Sequence, residues 1–380
     1  MAHIQPKTPT APIATAPLHA KPDQSVFDIL AELAHNQHVS DLHLAEGSDC
    51  VWARRNGYLE PAVSGIAPAA MSAGIDRILG QGTGATTAET RLHQAGDADI
   101  ALVIGKTRFR ANVYRSNGKR SAALRAFKSE PPLLESLGLP GAWWDMLKRS
   151  SGLLLVTGAT GSGKSTTLAS SLMHVSTLRR GHIITLEDPI EYELKSSTSL
   201  IDQRQLGADF SDYRQGLRSA LRQDPDVILV GELRDRETVQ TALDAANTGH
   251  LVMGTLHTNN ARLAVERLVS FFPGDDRDWV QMALSQVLVG VLSQFLLPGR
   301  PGKSRSLATE LMVGTSSIKS AIKDGKSNTL FSIMDTGSKE GHQLLNHCLV
   351  GLVRSGAVER NDAIFTSYDH AGLTRDLGNA

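Results

Sequence analysis

Gly-Leu-Leu-Leu-Val-Thr-Gly-Ala-Thr-Gly-Ser-Gly-Lys-Ser-Thr-Thr-Leu-Ala, residues 152–169, is the stretch that decides the fold. Its first six residues form a short apolar run of the kind that makes a strand buried on both faces. The loop that follows holds Gly158, Ala159, Thr160, Gly161, Ser162 and Gly163. Glycines there let backbone N–H groups turn inward around phosphate oxygens without a Cβ clash. A helix starting near Lys164 adds the partial positive charge of its N-terminus. Strand, glycine loop and helix in that order make a phosphate-binding loop, whereas a chance glycine-rich turn would lack the flanking elements. Lys164 is expected to reach the β- and γ-phosphates of ATP, Ser165 to bind Mg²⁺ through its hydroxyl, and Thr166 to close the nucleotide-binding set.

Working downstream, short apolar runs at Ile183–Leu186, Val227–Val230 and Leu251–Thr255 alternate with helical segments. Runs like these suit a parallel sheet covered on both faces, so the fold class expected is an α/β P-loop core. Nucleotide hydrolysis also needs carboxylates for the metal and the attacking water. Two acidic positions fall at the C-terminal ends of core strands, the edge where open α/β sheets bind ligands. Glu187, followed by Asp188, is expected in the outer shell of the magnesium or on the γ-phosphate side. Glu232 is expected to polarise the water, displaced by one from Gly231, where many P-loop proteins carry a metal-binding Asp. His257 closes another apolar run and is read as a γ-phosphate sensor. His250, at the start of that run, reads equally well as structural.

Upstream, residues 1–24 are rich in Pro, Ala and Thr and read as a disordered tail. Ser25 is a plausible N-cap for an amphipathic helix over Val26–Ala34. Strands are expected at Asp41–Leu44, Val51–Arg54, Asp99–Ile104, Thr107–Tyr114 and Ala122–Phe127, with a helix near Met71–Leu79. That mixture predicts a small α+β domain over 25–128. Pro131-Pro132 and the sequence at 137–141 mark an interdomain linker over 129–149. The ATPase domain then runs over 150–380, and its end, about 280–370, is expected to be mostly helical.

The 380 residues allow two domains. Lys+Arg and Asp+Glu both number 39, so bulk charge points to neither nucleic acid nor an anionic surface. Cys50 and Cys348 cannot make a four-ligand zinc site and suit a reducing cytoplasm. No run approaches a membrane span: the most apolar stretch, Val287–Leu297, is interrupted by Gly290, Ser293 and Gln294.

Four ordered segments carry a resemblance. The phosphate loop, Thr-Leu-Glu-Asp-Pro-Ile-Glu-Tyr (185–192), Asp-Pro-Asp-Val-Ile-Leu-Val-Gly-Glu-Leu-Arg-Asp (224–235) and Thr-Gly-His-Leu-Val-Met-Gly-Thr-Leu-His-Thr (248–258) resemble the Walker A, Asp box, Walker B and His box of the secretion-ATPase superfamily. Ser40-Asp41-Leu42-His43-Leu44, Arg108-Phe109-Arg110-Ala111-Asn112 and Glu310-Leu-Met-Val-Gly-Thr are similar to its type IV pilus retraction branch. The resemblance implies a PAS-like N-terminal domain, a RecA-like core, a homohexameric ring, and an inner-membrane platform protein as partner of a cytoplasmic ATPase. It also implies arginine fingers at Arg110 and Arg125, with Arg120 a poorer match. Ser317-Ile-Lys-Ser-Ala-Ile-Lys-Asp departs from the branch's arginine-bearing segment, and Pro298–Ser304 is an insertion.

A pilus-retraction motor is therefore the leading expectation. The alternatives are a transport ATPase of a type IVB-like secretion or conjugation system, a nucleotide-gated pilus assembly factor, and a DNA-dependent motor. Pilus-assembly and type II secretion ATPases usually carry a longer N-terminal region and a four-cysteine zinc motif, which this chain lacks.

Overall fold

The computed structural model describes residues 17–378 except 22, 35–38, 56–57, 82–87, 106, 127–129, 275 and 301–304. Most of the expected disordered tail, 1–24, lies outside the described residues, but Leu18 and His19 within it form a short strand paired with Val63 and Ser64, so the tail expectation does not hold there. The chain divides into two compact units, 1–129 and 130–380.

The first unit contains β1 (Leu18–His19), α1 (Val26–Ala34), β2 (Val39–Ala45), β3 (Val51–Arg55), β4 (Tyr58–Ser64), α2 (Pro68–Leu79), α3 (Ala88–Ala95), β5 (Asp97–Ile104), β6 (Thr107–Ser116) and β7 (Lys119–Ala126). Its sheet has the order β1-β4-β3-β2-β7-β6-β5 and is antiparallel except at the β1/β4 pair. Ser25 does cap α1, and reciprocally: its hydroxyl accepts from the Asp28 N–H, and the Asp28 carboxylate accepts from the Ser25 N–H. Alternation along β6 buries Phe109, Ala111 and Val113 against α1 and α2 and turns Arg108, Arg110 and Asn112 toward the other face.

The second unit begins with α4 (Gly141–Leu147), β8 (Gly152–Thr157), α5 (Lys164–Leu178), β9 (His182–Glu187), β10 (Leu200–Gln205), α6 (Tyr213–Ala220), β11 (Val227–Val230), α7 (Arg236–Asn247) and β12 (Leu251–Leu256). It continues with α8 (Ala261–Ser270), α9 (Asp276–Val287), β13 (Leu288–Leu297), β14 (Ser306–Val313), α10 (Ser316–Lys323), α11 (Leu330–Thr336), α12 (Leu345–Arg354), α13 (Arg360–Thr366) and α14 (His370–Gly378). The strand order is β10-β9-β11-β12-β8-β13-β14, parallel up to β13, with β14 antiparallel. Alternate residues serve opposite faces: Leu154 and Val156 pack against α4 and α5, Leu153 and Leu155 against the helices of the other layer. This is why the core strands read as unbroken apolar runs.

Two expectations need correction. Residues 130–149 are not a free linker: Leu134, Trp143, Met146 and Leu147 are buried in the second unit's core, and the Trp143 indole donates to Ser171 Oγ at 3.0 Å. The stretch 280–370 is helical only in part, because β13 and β14 extend the sheet beyond β8. Periodicity cannot separate a strand buried on both faces from a buried helix.

Glu310 on β14 is 2% exposed and accepts from the Ala261 N–H at 2.9 Å, from the Tyr368 hydroxyl and from the Leu345 N–H. Burial raises its pKa to about 7 against these bonds. A carboxyl raised in the fold contributes stability fully below its unfolded value and loses it as pH rises through the folded one. Glu310→Gln is therefore expected to flatten the decline of the melting temperature between about pH 4.5 and 7, measured by thermal unfolding across that range.

Candidate nucleotide site

The phosphate loop connects β8 to α5 with three left-handed glycines, Gly158 (φ 144°), Gly161 (φ 81°) and Gly163 (φ 93°). Ideal Cβ atoms on Gly161 and Gly163 would meet nothing, so their backbone conformation, not crowding by the protein, selects glycine. Gly158 is different: a Cβ there would stand 2.5 Å from the Gln294 carbonyl oxygen. Lys164 Nζ donates to the carbonyls of Gly158 (2.8 Å) and Ala159 (3.0 Å). Burial lowers its pKa, while Glu232 and Glu191 act the other way. Ser162 Oγ is buried with no hydrogen-bond partner among the described residues, and Thr166 Oγ1 meets the Tyr192 hydroxyl at 2.8 Å.

The acidic side of the site is built at the ends of β9 and β11. A cavity of about 90 Å³ brings together Ser165, Glu187, Glu232, Tyr213, Arg234 and Thr255. Burial raises the Glu187 carboxyl, although its Oε1 accepts from Thr185 Oγ1 (2.6 Å) and Gln203 Nε2 (3.0 Å). Burial also pushes Glu232 upward, but Arg234 at 2.7 Å and His257 at 3.4 Å outweigh it and hold the carboxyl below its ordinary value. Glu232 is thus kept ionised, and Glu187 is drawn toward its neutral form.

Gly231 explains the one-residue displacement of the acid. A Cβ at this position would lie 2.9 Å from both the Leu186 carbonyl and the Tyr213 hydroxyl. The strand end therefore has no room for a side chain, and the first carboxylate after β11 is Glu232. His257 follows the C-terminal end of β12, while His250 precedes its other end and bonds the Ala245 carbonyl through Nδ1 at 3.0 Å. His250 is a structural residue there.

These residues fit a nucleotide and its metal. The open glycine cradle, the orphaned Ser162 hydroxyl and Lys164 suit phosphate oxygens. Among the described residues no group of three or more His, Cys, Asp or Glu could hold a metal by itself. Magnesium there would depend on Ser165, phosphate and water, the manner in which this ion is usually held.

The expected arginines lie on the first unit. Arg110 and Arg125 face each other across β6 and β7; Arg110 pairs with Asp99 at 3.3 Å and Arg125 with Asp41 at 2.9 Å. Arg120 is held by Glu46 at 2.8 Å and by Asp76, and its hydrogen bonds pull the Glu46 carboxyl down to about 2. Its surroundings are those of a structural bridge.

The sequence profile of the type II/IV secretion system proteins matches residues 16–347. The chain belongs to this family. Within it, the chain is 43% identical over 261 residues to the type IV pilus retraction ATPase PilT of Pseudomonas aeruginosa, covering 69% of this chain and 76% of that protein. A crystal structure of the pilus retraction motor PilT with bound ADP superposes with a TM-score of 0.83 at 38% identity, covering 93% of this chain and 100% of that one. The type II secretion system protein E of Dickeya dadantii is 48% identical over 153 residues, but this covers only 40% of this chain and 28% of that protein.

Sequence reasoning missed Arg234, Tyr213, Tyr192 and Gln203 in this site. Arg234 was within reach: two residues beyond Glu232, just after a strand end, it can fold back on the carboxylate. The others come from elements whose proximity only the tertiary fold sets. Because Arg234 is the strongest influence opposing burial at Glu232, Arg234→Ala is expected to raise the carboxyl's pKa. The acid limb of the ATP turnover profile should move to higher pH in steady-state rates measured across the acid range.

Proposed function

We propose that the chain is a magnesium-dependent ATPase that powers retraction of a type IV pilus. One observation carries this reading: similarity to PilT spans both units, whereas similarity to type II secretion protein E is confined to part of the chain. The nucleotide would lie on the loop 158–165. Lys164 would exchange the carbonyls of Gly158 and Ala159 for β- and γ-phosphate oxygens. Ser165 would hold magnesium, with Glu187 in its outer shell; the metal supplies neutralisation of the charge that develops on the transferred phosphoryl group. Glu232, kept ionised by Arg234, would orient the attacking water and accept its proton. His257, beside the same carboxylate, would register whether the γ-phosphate is present.

Arg110 and Arg125 are proposed as fingers that would leave Asp99 and Asp41 for the γ-phosphate charge. The family resemblance supports a homohexamer acting in the cytoplasm against an inner-membrane platform protein. No helix among the described residues is long and apolar enough to cross a membrane, so contact with the membrane is assigned to that partner.

The functional test is made in the cell. Deleting the gene should leave excess surface pili that no longer retract, scored by electron microscopy and by twitching. Loss of surface pili would instead assign the chain to assembly.

A further inference from the structure

Ser293 and Gln294 break the most apolar run of the chain, yet both are 0% exposed. A buried polar side chain is costly unless partnered; Ser293 Oγ and Gln294 Nε2 have partners that flank the phosphate loop, while Gln294 Oε1 has none among the described residues. Ser293 Oγ accepts from Thr157 Oγ1 at 2.9 Å, one residue before Gly158. Gln294 Nε2 donates to Thr167 Oγ1 at 2.6 Å, and the Thr167 N–H itself bonds the Gly163 carbonyl at 3.0 Å. With the close approach of the Gln294 carbonyl at Gly158, both ends of the loop take their position from β13.

The paired strand does the same for the other half of the site. In the β13/β14 register Ser293 stands opposite Glu310, and Ser293 stands beside Thr157 on β8. Glu310 accepts from the N–H of Ala261, the first residue of α8 and four residues beyond His257. Asn260 caps the same helix by accepting from the Leu263 N–H at 2.8 Å. The turn carrying His257 is therefore tied to β12 at one end and to Glu310 at the other. Among the described residues no cation pairs with Glu310; helix N-termini and the Tyr368 hydroxyl face it instead. An apolar residue would pack this core without desolvating a carboxylate, so packing alone does not account for it.

We propose that the β13–β14 hairpin positions the two halves of the ATP site separately, Gln294 setting the phosphate loop through Thr167 and Glu310 setting the His257 turn through Ala261. The inference rests on the ATPase reading above and adds two positioning residues to it.

The test measures ADP affinity by calorimetry and steady-state ATP hydrolysis on the full chain. Gln294→Leu and Thr167→Val should each weaken ADP binding and raise KM about three- to tenfold, with kcat within about twofold. Their double variant should be no worse than either alone. Glu310→Gln should leave ADP affinity within about twofold and lower kcat about three- to tenfold, while melting no earlier than wild type at pH 8. If the variants move affinity and kcat in equal proportion, or change only the melting temperature, the hairpin is packing and the proposal is wrong. His257→Ala and Lys164→Ala separate the two levels. Should both turn over ATP like wild type, the site reading itself fails. Should both be impaired while Gln294→Leu and Glu310→Gln match wild type, only the hairpin inference falls.

Discussion

The parallel ladder that joins β8 to β12 and β13 is the constraint on which the rest depends. It fixes Thr157, Leu256 and Ser293 side by side at one level of the sheet. The chain leaves that level as the phosphate loop from β8 and as the His257 turn from β12. The β9 and β11 strands end near the same edge with Glu187 and Glu232. Chemistry that needs a phosphate cradle and two carboxylates is thereby gathered from sequence segments far apart, as strand ends in an open α/β sheet are able to do.

Close packing at this edge then sets which residue types can stand where. Gly158 is pressed against the Gln294 carbonyl, and Gly231 against the Leu186 carbonyl and the Tyr213 ring hydroxyl. The second contact shifts the functional acid from the strand end to Glu232, where Arg234 and His257 reach it. Two carboxylates a short cavity apart consequently differ in character. Glu232 is charge-compensated and ionised. Glu187 is pushed toward neutrality by burial, against its hydrogen bonds to Thr185, Gln203 and the Glu191 backbone. Unequal environments of this kind let neighbouring acids take different roles.

Much of this was legible in the sequence because local signals and global fold agree there. β8 and β11 have the bounds expected from their apolar runs, and Ser25 starts α1 as expected. What was not legible shares one cause: the determining partner is distant in sequence. β4 is not among the expected strands; it carries Pro61, which weakens a strand signal in sequence and lies outside the two residues, Val63 and Ser64, that β1 covers. β10 is an edge strand whose exposed and half-buried residues show no apolar run. β13 was masked by Ser293 and Gln294, whose partners Thr157 and Thr167 are more than a hundred residues away. The site shows the same division. Lys164, Ser165, Glu187 and Glu232 declare themselves by motif and strand-end position, whereas Tyr213 and Gln203 reach the cavity only through tertiary packing.

The central claim is that the gathered edge hydrolyses ATP, with Glu232 acting on the water and not on nucleotide binding. The most direct measurement is phosphate release in a single turnover by the purified chain with magnesium, comparing wild type with Glu232→Gln after equal ATP loading. The account predicts that the variant binds ATP with affinity close to wild type and releases phosphate at least about a hundredfold more slowly. Release at the wild-type rate from an ATP-loaded variant would contradict it.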